Sequence, residues 1–254
     1  MTKKKTALIT GGAKRIGAGI AKVLASNGYD LAIHYNNSKK EAEKLCTKLN
    51  RKKTIAFTVQ GNLLNKKDVK NIFFEAKEKL GCITCLINNA SIFEYDNLKE
   101  LDNELWENHI LANLKSPLVL SKLFSHHLPK NNYGNIINII DQRVLNLTPH
   151  FLSYTVSKSG LWTLTKTLAL ELAPRIRVNA IGPGPALKSK FQTKEQFTRQ
   201  CNTMPLKIGT SAEEIGETVL FFLSIHSITG QILALDGGQH LGWGQVNTKK
   251  LSKE

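Results

Sequence analysis

The segment Thr6-Ala7-Leu8-Ile9-Thr10-Gly11-Gly12-Ala13-Lys14-Arg15-Ile16-Gly17 sets the architecture of the chain. Its apolar start predicts a β-strand, and apolar positions repeating from 16 to 25 predict a helix that ends at Gly28. Glycines 11, 12 and 17 fall at the turn between them. They let the backbone approach a pyrophosphate, to which the helix N-terminus offers free N–H groups and its positive dipole end. Such a turn can also be loop geometry alone, but its place after a first strand favours a dinucleotide site at 10–17.

The rest of the chain repeats the alternation of strand and helix. Further strands are predicted at 31–35, 55–60, 83–88, 135–140, 177–181 and 231–235. Helices are predicted at 39–49, 66–80, 104–127, 153–172 and 212–223, with a kink at Pro117. The strands are continuous apolar runs, which indicates a parallel sheet covered by helices on both faces. We therefore predict one doubly wound α/β domain over 1–254, with the polar segment at about 187–205 as a mobile lid.

Composition narrows the classes of function. The chain has 254 residues, is 41% hydrophobic and carries a net charge of +15. Its lysines are scattered and are not interleaved with aromatic residues, so we expect no nucleic-acid partner. No apolar run is long enough to span a membrane and no signal-peptide pattern precedes the first strand, so we expect a cytoplasmic protein. Cys82 and Cys85 lack the further ligands that a zinc site needs, so no metal is expected.

Tyr154 and Lys158 lie four residues apart in the predicted helix 153–172, and this spacing places them on one helix face. A phenol with the usual pKa of about 10 exchanges protons poorly at neutral pH, and a nearby ammonium favours the phenolate. The pair is a candidate proton-transfer unit, although Tyr and Lys also occur at this spacing on many solvated helices.

Several short motifs occur in the order that is typical of the short-chain dehydrogenase/reductase superfamily, which the chain resembles over nearly its whole length. They are the turn at 10–17, Asn88-Asn89-Ala90, Asn113, Tyr154 with Lys158, Pro183-Gly184, and Asp236-Gly237-Gly238. The resemblance implies a Rossmann-type fold and hydride transfer with a nicotinamide. It implies that Tyr154 exchanges the proton, that Lys158 holds the ribose and lowers the pKa of the phenol, and that Asn113 supports a proton-relay water. It also implies a homotetramer built through the long helices.

The end of the second strand favours NADPH over NADH. It reads His34-Tyr35-Asn36-Asn37-Ser38 and has no acidic residue that would repel a 2′-phosphate, while Lys14 and Arg15 add positive charge nearby. Asn62 stands where the family usually has Asp at the adenine, and its amide oxygen can still accept a hydrogen bond. The resemblance implies further cofactor contacts from Gly11, Ile16, Gly17, Leu63, Asn89, Ala90, Ser91, Pro183 and Gly184, and from Tyr154 and Lys158.

Asp141 is the main departure from the superfamily, most of whose members have Ser at this position. An ionised Asp only accepts hydrogen bonds, so it suits a substrate rich in N–H groups, or a C=N bond that needs a proton, better than a carbonyl. Together with Arg15 and Phe93 it resembles the pteridine reductases and the related dihydromonapterin or dihydrofolate reductases. In that subgroup a Phe at this offset stacks on the pterin and the 34–38 segment holds the 2′-phosphate.

The sequence thus predicts an NADPH-dependent reductase of a C=N bond in a pterin, with Tyr154, Lys158, Asp141 and Asn113 as catalytic residues. The predicted substrate contacts are Arg15, Ser91, Phe93, Asp141 and Tyr154. One alternative is a carbonyl reductase, for example of 3-oxoacyl thioesters, and another is a catalytically idle NADPH-binding sensor. Arg143 could reach a polar substrate tail or lie on a surface loop.

Overall fold

Seven parallel strands form one sheet in the order β3-β2-β1-β4-β5-β6-β7. The computed structural model describes residues 4–50, 54–188 and 192–242. The strands are β1 (Thr6–Ile9), β2 (Asp30–Tyr35), β3 (Ala56–Gln60), β4 (Cys85–Asn88), β5 (Gly134–Ile139), β6 (Ile176–Pro183) and β7 (Ile232–Leu235). The helices are α1 (Arg15–Ser26), α2 (Lys39–Asn50), α3 (Lys66–Leu80), α4 (Asn103–Ile110), α5 (Ser116–His127), α6 (Leu152–Leu172), α7 (Lys194–Asn202) and α8 (Ala212–Ser224).

Helices cover both faces of the sheet, which confirms the predicted doubly wound fold. Alternate residues of β1 point to opposite faces, so Ile9 packs with α1 and α8 while Leu8 packs with α3 and α5. Both side chains are fully buried, which is why the strand reads as an unbroken apolar run. The strand order reverses between β1 and β4, and in such sheets a ligand crevice opens at the carboxyl ends of the strands that flank the reversal.

The predicted helix 104–127 is interrupted by a π-helical segment, Leu111–Lys115, between α4 and α5. Pro117 lies just after it, in the first turn of α5. Proline has no N–H to donate to the carbonyl four residues earlier, and its ring crowds that carbonyl, so a widened turn here accommodates it. The π-helical segment contains Asn113.

The polar segment at 187–205 is more regular than the sequence indicated, because it contains α7. This helix begins with a capping box in which Thr193 and Gln196 exchange side-chain and backbone hydrogen bonds. Positions 189–191 of the predicted lid lie outside the described residues, as does the lysine-rich end of the chain. None of the helices in the described ranges is both long and apolar enough to cross a membrane.

Candidate active site

The glycine-rich turn after β1 is fastened to the end of β4. Thr10 Oγ1 accepts hydrogen bonds from the backbone N–H groups of Asn89 and Ala90, at 3.0 and 3.1 Å, and Asn89 Nδ2 donates to the carbonyls of Thr10 and Gly11. A Cβ on Gly17 would collide with the Gly11 carbonyl and lie 2.8 Å from Gly12 Cα. The turn is therefore a close-packed cradle in which only glycine fits at position 17.

His34 lies beneath this cradle and not on the cavity wall where the sequence placed it. Its Nδ1 accepts the Gly11 N–H at 3.0 Å, so its Nε2 carries the proton and donates to the Gly61 carbonyl, also at 3.0 Å. The side chain is 2% exposed, and this burial lowers the pKa of His34 to about 4. A neutral imidazole thus holds the backbone of the turn at neutral pH.

A cavity of about 780 Å³ opens above the turn. It brings together most of the predicted site: Gly11, Lys14, Arg15, Ile16, Gly17, Tyr35, Asn36, Asn37, Ser38, Asn89, Ala90, Ser91, Phe93, Asp141, Tyr154, Pro183 and Gly184. The predicted residues His34, Asn62, Leu63, Asn113 and Lys158 do not line it. Leu187, Gln192, Phe197 and Gln200, from the polar segment at 187–205, also line it. The sequence did not indicate four other lining residues, which are Gln142, Phe151, Ala186 and Gln239.

Tyr154 and Asp141 meet at the inner wall of the cavity. Tyr154 Oη donates to Asp141 Oδ2 at 2.9 Å, and Asp141 Oδ1 accepts the backbone N–H of Arg143 at 2.8 Å. The pKa of Tyr154 is raised well above 10, first by burial and then by the charge and the hydrogen bond of Asp141, while Arg143 acts in the opposite direction. The phenol is therefore held in its protonated form, contrary to the expected lowering of its pKa.

Lys158 is buried one turn further along α6, and its Nζ lies 5.7 Å from the centroid of the Tyr154 ring. The ammonium donates to the Ile139 carbonyl at 2.9 Å. Burial lowers the pKa of Lys158 to about 8, although the Asp141 carboxylate acts in the opposite direction. Lys158 is close enough to influence the phenol, but in this arrangement burial and Asp141 decide the protonation state of Tyr154.

Asn113 fixes the loop that follows β4. Its Oδ1 accepts from Ile92 N–H and Ser91 Oγ, and its Nδ2 donates to the Ile92 carbonyl and to Ser157 Oγ, at 2.9 to 3.1 Å. These four bonds use both donors and both acceptor positions of the amide. The side-chain amide of Asn113 therefore has no free position for a relay water and holds Ser91 and Ile92 beside the cavity, while the support of a relay water by this residue stays a prediction.

Asn62 and Leu63 lie beyond the cavity wall. Asn62 Oδ1 accepts the Leu64 N–H at 3.0 Å, and the Asn62 N–H donates to Asp68 at 2.9 Å. The carbonyl of Leu63 accepts from Ser116 Oγ at 2.6 Å. These bonds hold the turn after β3. The contact of Asn62 and Leu63 with an adenine ring stays a prediction.

An aromatic group forms the outer part of the cavity. Phe93 stacks on Phe151 with ring centroids 4.5 Å apart and an interplanar angle of 10°, and it meets Tyr154 edge-on at 4.8 Å. Phe151 adopts a left-handed backbone conformation, with φ of 59°, immediately before α6. The i, i+3 spacing from Phe151 to Tyr154 was the one signal in the sequence that could have placed Phe151 at the site.

Arg15 joins the glycine-rich turn to the start of the polar segment. Its Nη1 donates to the Lys188 carbonyl at 3.0 Å and its Nη2 to the Leu187 carbonyl at 3.2 Å. The residue is exposed and also adopts a left-handed backbone conformation, with φ of 53°. Arg15 lines the cavity and holds the backbone at the start of the 187–205 segment, while its contacts with the phosphates and the substrate stay a prediction.

The fold and the Tyr154–Lys158 pair beside a glycine-rich turn define a Rossmann-type oxidoreductase. The profile of the short chain dehydrogenase family matches residues 5–199. The chain belongs to this family, which confirms the resemblance seen in the sequence.

Solved structures and curated proteins include several similar to the chain. FolM alternative dihydrofolate reductase 1 from Brucella suis, crystallised with NADP, is 46% identical with a TM-score of 0.93, over 96% of this chain and 98% of that one. A blue fluorescent protein from a metagenomic library, in complex with NADPH, is 30% identical with a TM-score of 0.86, over 92% and 97%. The 3-oxoacyl-[acyl-carrier-protein] reductase FabG from Staphylococcus epidermidis is 32% identical over 93% of this chain and 99% of that protein.

Proposed function

We propose that the protein is an NADPH-dependent reductase that transfers hydride to a C=N bond of a dihydropterin or dihydrofolate. The general activity, without regard to the substrate, is that of an NADPH-dependent short-chain oxidoreductase. The observation that carries the pterin proposal is the hydrogen bond from Tyr154 to the Asp141 carboxylate. A carboxylate beside the proton donor accepts hydrogen bonds from the N–H groups of an amino-rich heterocycle and repels the oxyanion of a reduced carbonyl.

The residues that line the cavity suit NADPH. The close-packed turn at Gly11 and Gly17 can receive a pyrophosphate at the N-terminus of α1. Tyr35 to Ser38 line the same cavity and offer hydroxyl and amide groups without a carboxylate. Lys14 pairs with Glu41 at 3.4 Å, but both side chains are half exposed, so the pair is weak and the ammonium can turn to a 2′-phosphate. The solved relatives that hold NADP or NADPH support this cofactor.

When bound, the nicotinamide supplies the hydride, and the residues around it manage the proton. Tyr154 carries a proton at neutral pH, since its pKa is raised further above the ordinary value of about 10, and it can donate this proton to a ring nitrogen that becomes strongly basic as hydride arrives. Lys158 is positively charged below a pH of about 8 and stabilises the phenolate that remains. Phe93 offers a flat face for the heterocycle, after Phe151 moves or from the opposite side.

A 3-oxoacyl-thioester reductase is the second candidate, since FabG proteins are 32% identical to the chain. Asp141 argues against it, because an ionised carboxylate donates no hydrogen bond to a carbonyl oxygen. The third candidate is an NADPH-binding sensor without turnover. The ordered contact between Tyr154 and Asp141 favours an enzyme, because a sensor needs no proton donor.

The proposal extends to a cytoplasmic homotetramer. Leu118 on α5, and Val156 and Leu170 on α6, are 42%, 44% and 83% exposed, and such apolar side chains are suited to interfaces between subunits. The four cysteines are free thiols, which fits a reducing compartment. Light scattering of the purified protein measures the mass, and a monomer would contradict the tetramer.

The reaction is tested by following NADPH absorbance with a dihydropterin, dihydrofolate and a 3-oxoacyl thioester. We expect turnover of the pterins and its loss in Tyr154→Phe with NADPH affinity unchanged. Tyr133→Phe, which alters a 73% exposed tyrosine, is the matched control and should keep full activity. Turnover of the thioester alone would refute the pterin proposal, and tight NADPH binding with no turnover of any substrate would favour the sensor.

A further inference from the structure

Arg143 lies at the cavity, and the one effect of its side chain described above is to act against the raised pKa of Tyr154. It is the central residue of the short 3-10 helix Gln142–Val144 that follows β5, and its side chain lines the cavity. Its backbone N–H orients Asp141, but that bond is independent of the side chain. The guanidinium is thus a positive charge placed near the Asp141 carboxylate, where it could meet the polar substrate tail that the sequence suggested.

The guanidinium is held in one orientation by two neighbours. Its carbon atom lies 5.1 Å from the centroid of the Phe151 ring, in a cation–π contact, and its Nη1 donates to Thr148 Oγ1. Phe151 in turn stacks on Phe93. One aromatic ring therefore separates the charge from the ring expected to stack on a flat substrate. A side chain constrained in this way loses little conformational entropy when it binds a ligand.

The other edge of the guanidinium is unused. Its Nε is buried and has no hydrogen-bond partner. Across residues 4–50, 54–188 and 192–242, no carboxylate forms a salt bridge with Arg143, and Nη1 to Thr148 is the one hydrogen bond of the guanidinium. The Nε–H and a terminal N–H of arginine form a planar fork that matches the two oxygens of a carboxylate. A buried unpaired donor is unfavourable, and a carboxylate ligand at this edge would satisfy it.

We propose that Arg143 binds a carboxylate on the side chain of the substrate, so that the enzyme prefers a reduced pterin with a carboxylated tail. This inference rests on the proposed function, since it names the substrate class of the same site. Phe93 and Asp141 would receive the heterocycle, and Arg143, on the far side of Phe151, would receive the tail. Arg143 is then a specificity residue that contacts neither the transferred hydride nor the proton, and its effect on the pKa of Tyr154 is common to both kinds of substrate.

The test compares dihydrofolate, which has a carboxylated tail, with a dihydropterin that has an uncharged hydroxyalkyl tail. kcat/KM is measured for wild type, Arg143→Gln and Lys70→Gln, which removes one exposed positive charge from α3 as a control for net charge. Dissociation constants of both ligands with the NADP-loaded protein are measured by calorimetry, which requires no turnover. A bond from a charged group contributes about 1.5–3 kcal/mol, so Arg143→Gln should weaken dihydrofolate about 10- to 100-fold.

Arg143→Gln should change the dissociation constant of the uncharged dihydropterin by less than about twofold. Lys70→Gln should change the dissociation constant of neither ligand. Thr148→Val, which releases the guanidinium from its support, should weaken dihydrofolate in the same direction but by less. Equal losses for both substrates in Arg143→Gln, or no loss for either, would overturn the role of Arg143 while leaving pterin reduction intact. If wild type neither binds nor reduces any pterin, the proposed function itself fails, and this inference fails with it.

Discussion

Lys158→Met should make the protein more stable at neutral pH and less stable relative to wild type as the pH rises. The pKa of Lys158 is about 8 in the folded protein, against 10.5 for a solvated lysine, because burial disfavours the ammonium. The folded state therefore binds fewer protons than the unfolded state between pH 8 and 10.5, and the stability of the wild type must increase across that interval. Below pH 8 the buried charge destabilises the fold by about 3 kcal/mol, at about 1.4 kcal/mol for each pKa unit.

Met removes this charge and keeps most of the side-chain volume. It also removes the donor to the Ile139 carbonyl, a loss of about 1–2 kcal/mol that does not vary with pH. The measurement that isolates the charge is the difference in unfolding free energy between variant and wild type at pH 7 and again at pH 10. We expect this difference to change by about 2–3 kcal/mol in favour of wild type at pH 10.

Urea unfolding at both pH values, followed by circular dichroism, gives these free energies. Lys166→Met is the matched control, because Lys166 lies on the same helix with an exposed side chain, and the pH dependence of this variant should parallel wild type. A change below about 1 kcal/mol for Lys158→Met would refute the idea that Lys158 is a desolvated ammonium at neutral pH. The same variant should lose reductase activity, so that stability and activity move in opposite directions.

Three further predictions concern the cradle and the proton donor. Gly17→Ala should weaken NADPH on the order of 10- to 100-fold in a fluorescence titration, because its Cβ would press on the carbonyl of Gly11, and an unchanged dissociation constant would contradict the close-packed turn. The pKa of His34 is about 4 when folded, below its usual 6.5, so wild-type stability should rise by about 3 kcal/mol from pH 4 to 6.5. His34→Ala should lose that rise in urea unfolding, and a variant with the same rise would exclude His34 as its source. Asp141→Asn should lower the pKa of Tyr154, which burial and then Asp141 raise, in a titration of phenolate absorbance that subtracts the Tyr154→Phe variant; a titration unchanged from wild type would remove Asp141 from control of the phenol.

The fold and the family could be predicted from sequence because their signals are local. The central strands β1 and β4 are short, mostly apolar runs whose residues are all buried. The glycines that follow Ile9 allow the close backbone approach that the turn needs, and this requirement involves only a few neighbouring residues. The motifs from Asn88-Asn89-Ala90 to Tyr154 and Lys158 occur in the order that is typical of the family. This order can be read from the sequence without knowing which residues are in contact. These features also placed Asp141 and Phe93 at the cavity.

The direction of each polar side chain was decided only by the tertiary structure. His34 supports Gly11 from 23 residues away, and Asn113 holds Ile92 across 21. A spacing pattern identifies such residues but does not say which of their atoms are already occupied. The four bonds of Asn113 and the buried position of His34 follow from how β2, β4 and the π-helical segment pack together.

Protonation and substrate contacts depend on the same packing. The sequence placed an ammonium beside the phenol of Tyr154 and so predicted a lowered pKa, but burial and the Asp141 carboxylate raise it. Phe151 lines the cavity in a left-handed backbone conformation before α6, and Arg15 donates to the backbone carbonyls of Leu187 and Lys188. By itself the sequence determined the fold, the family and the candidate pair of Tyr154 and Lys158, because periodicity and motif order are properties of the chain. Desolvation and hydrogen-bond partners are properties of the packed structure, and they alone decided the charge of each group and the atoms that it contacts.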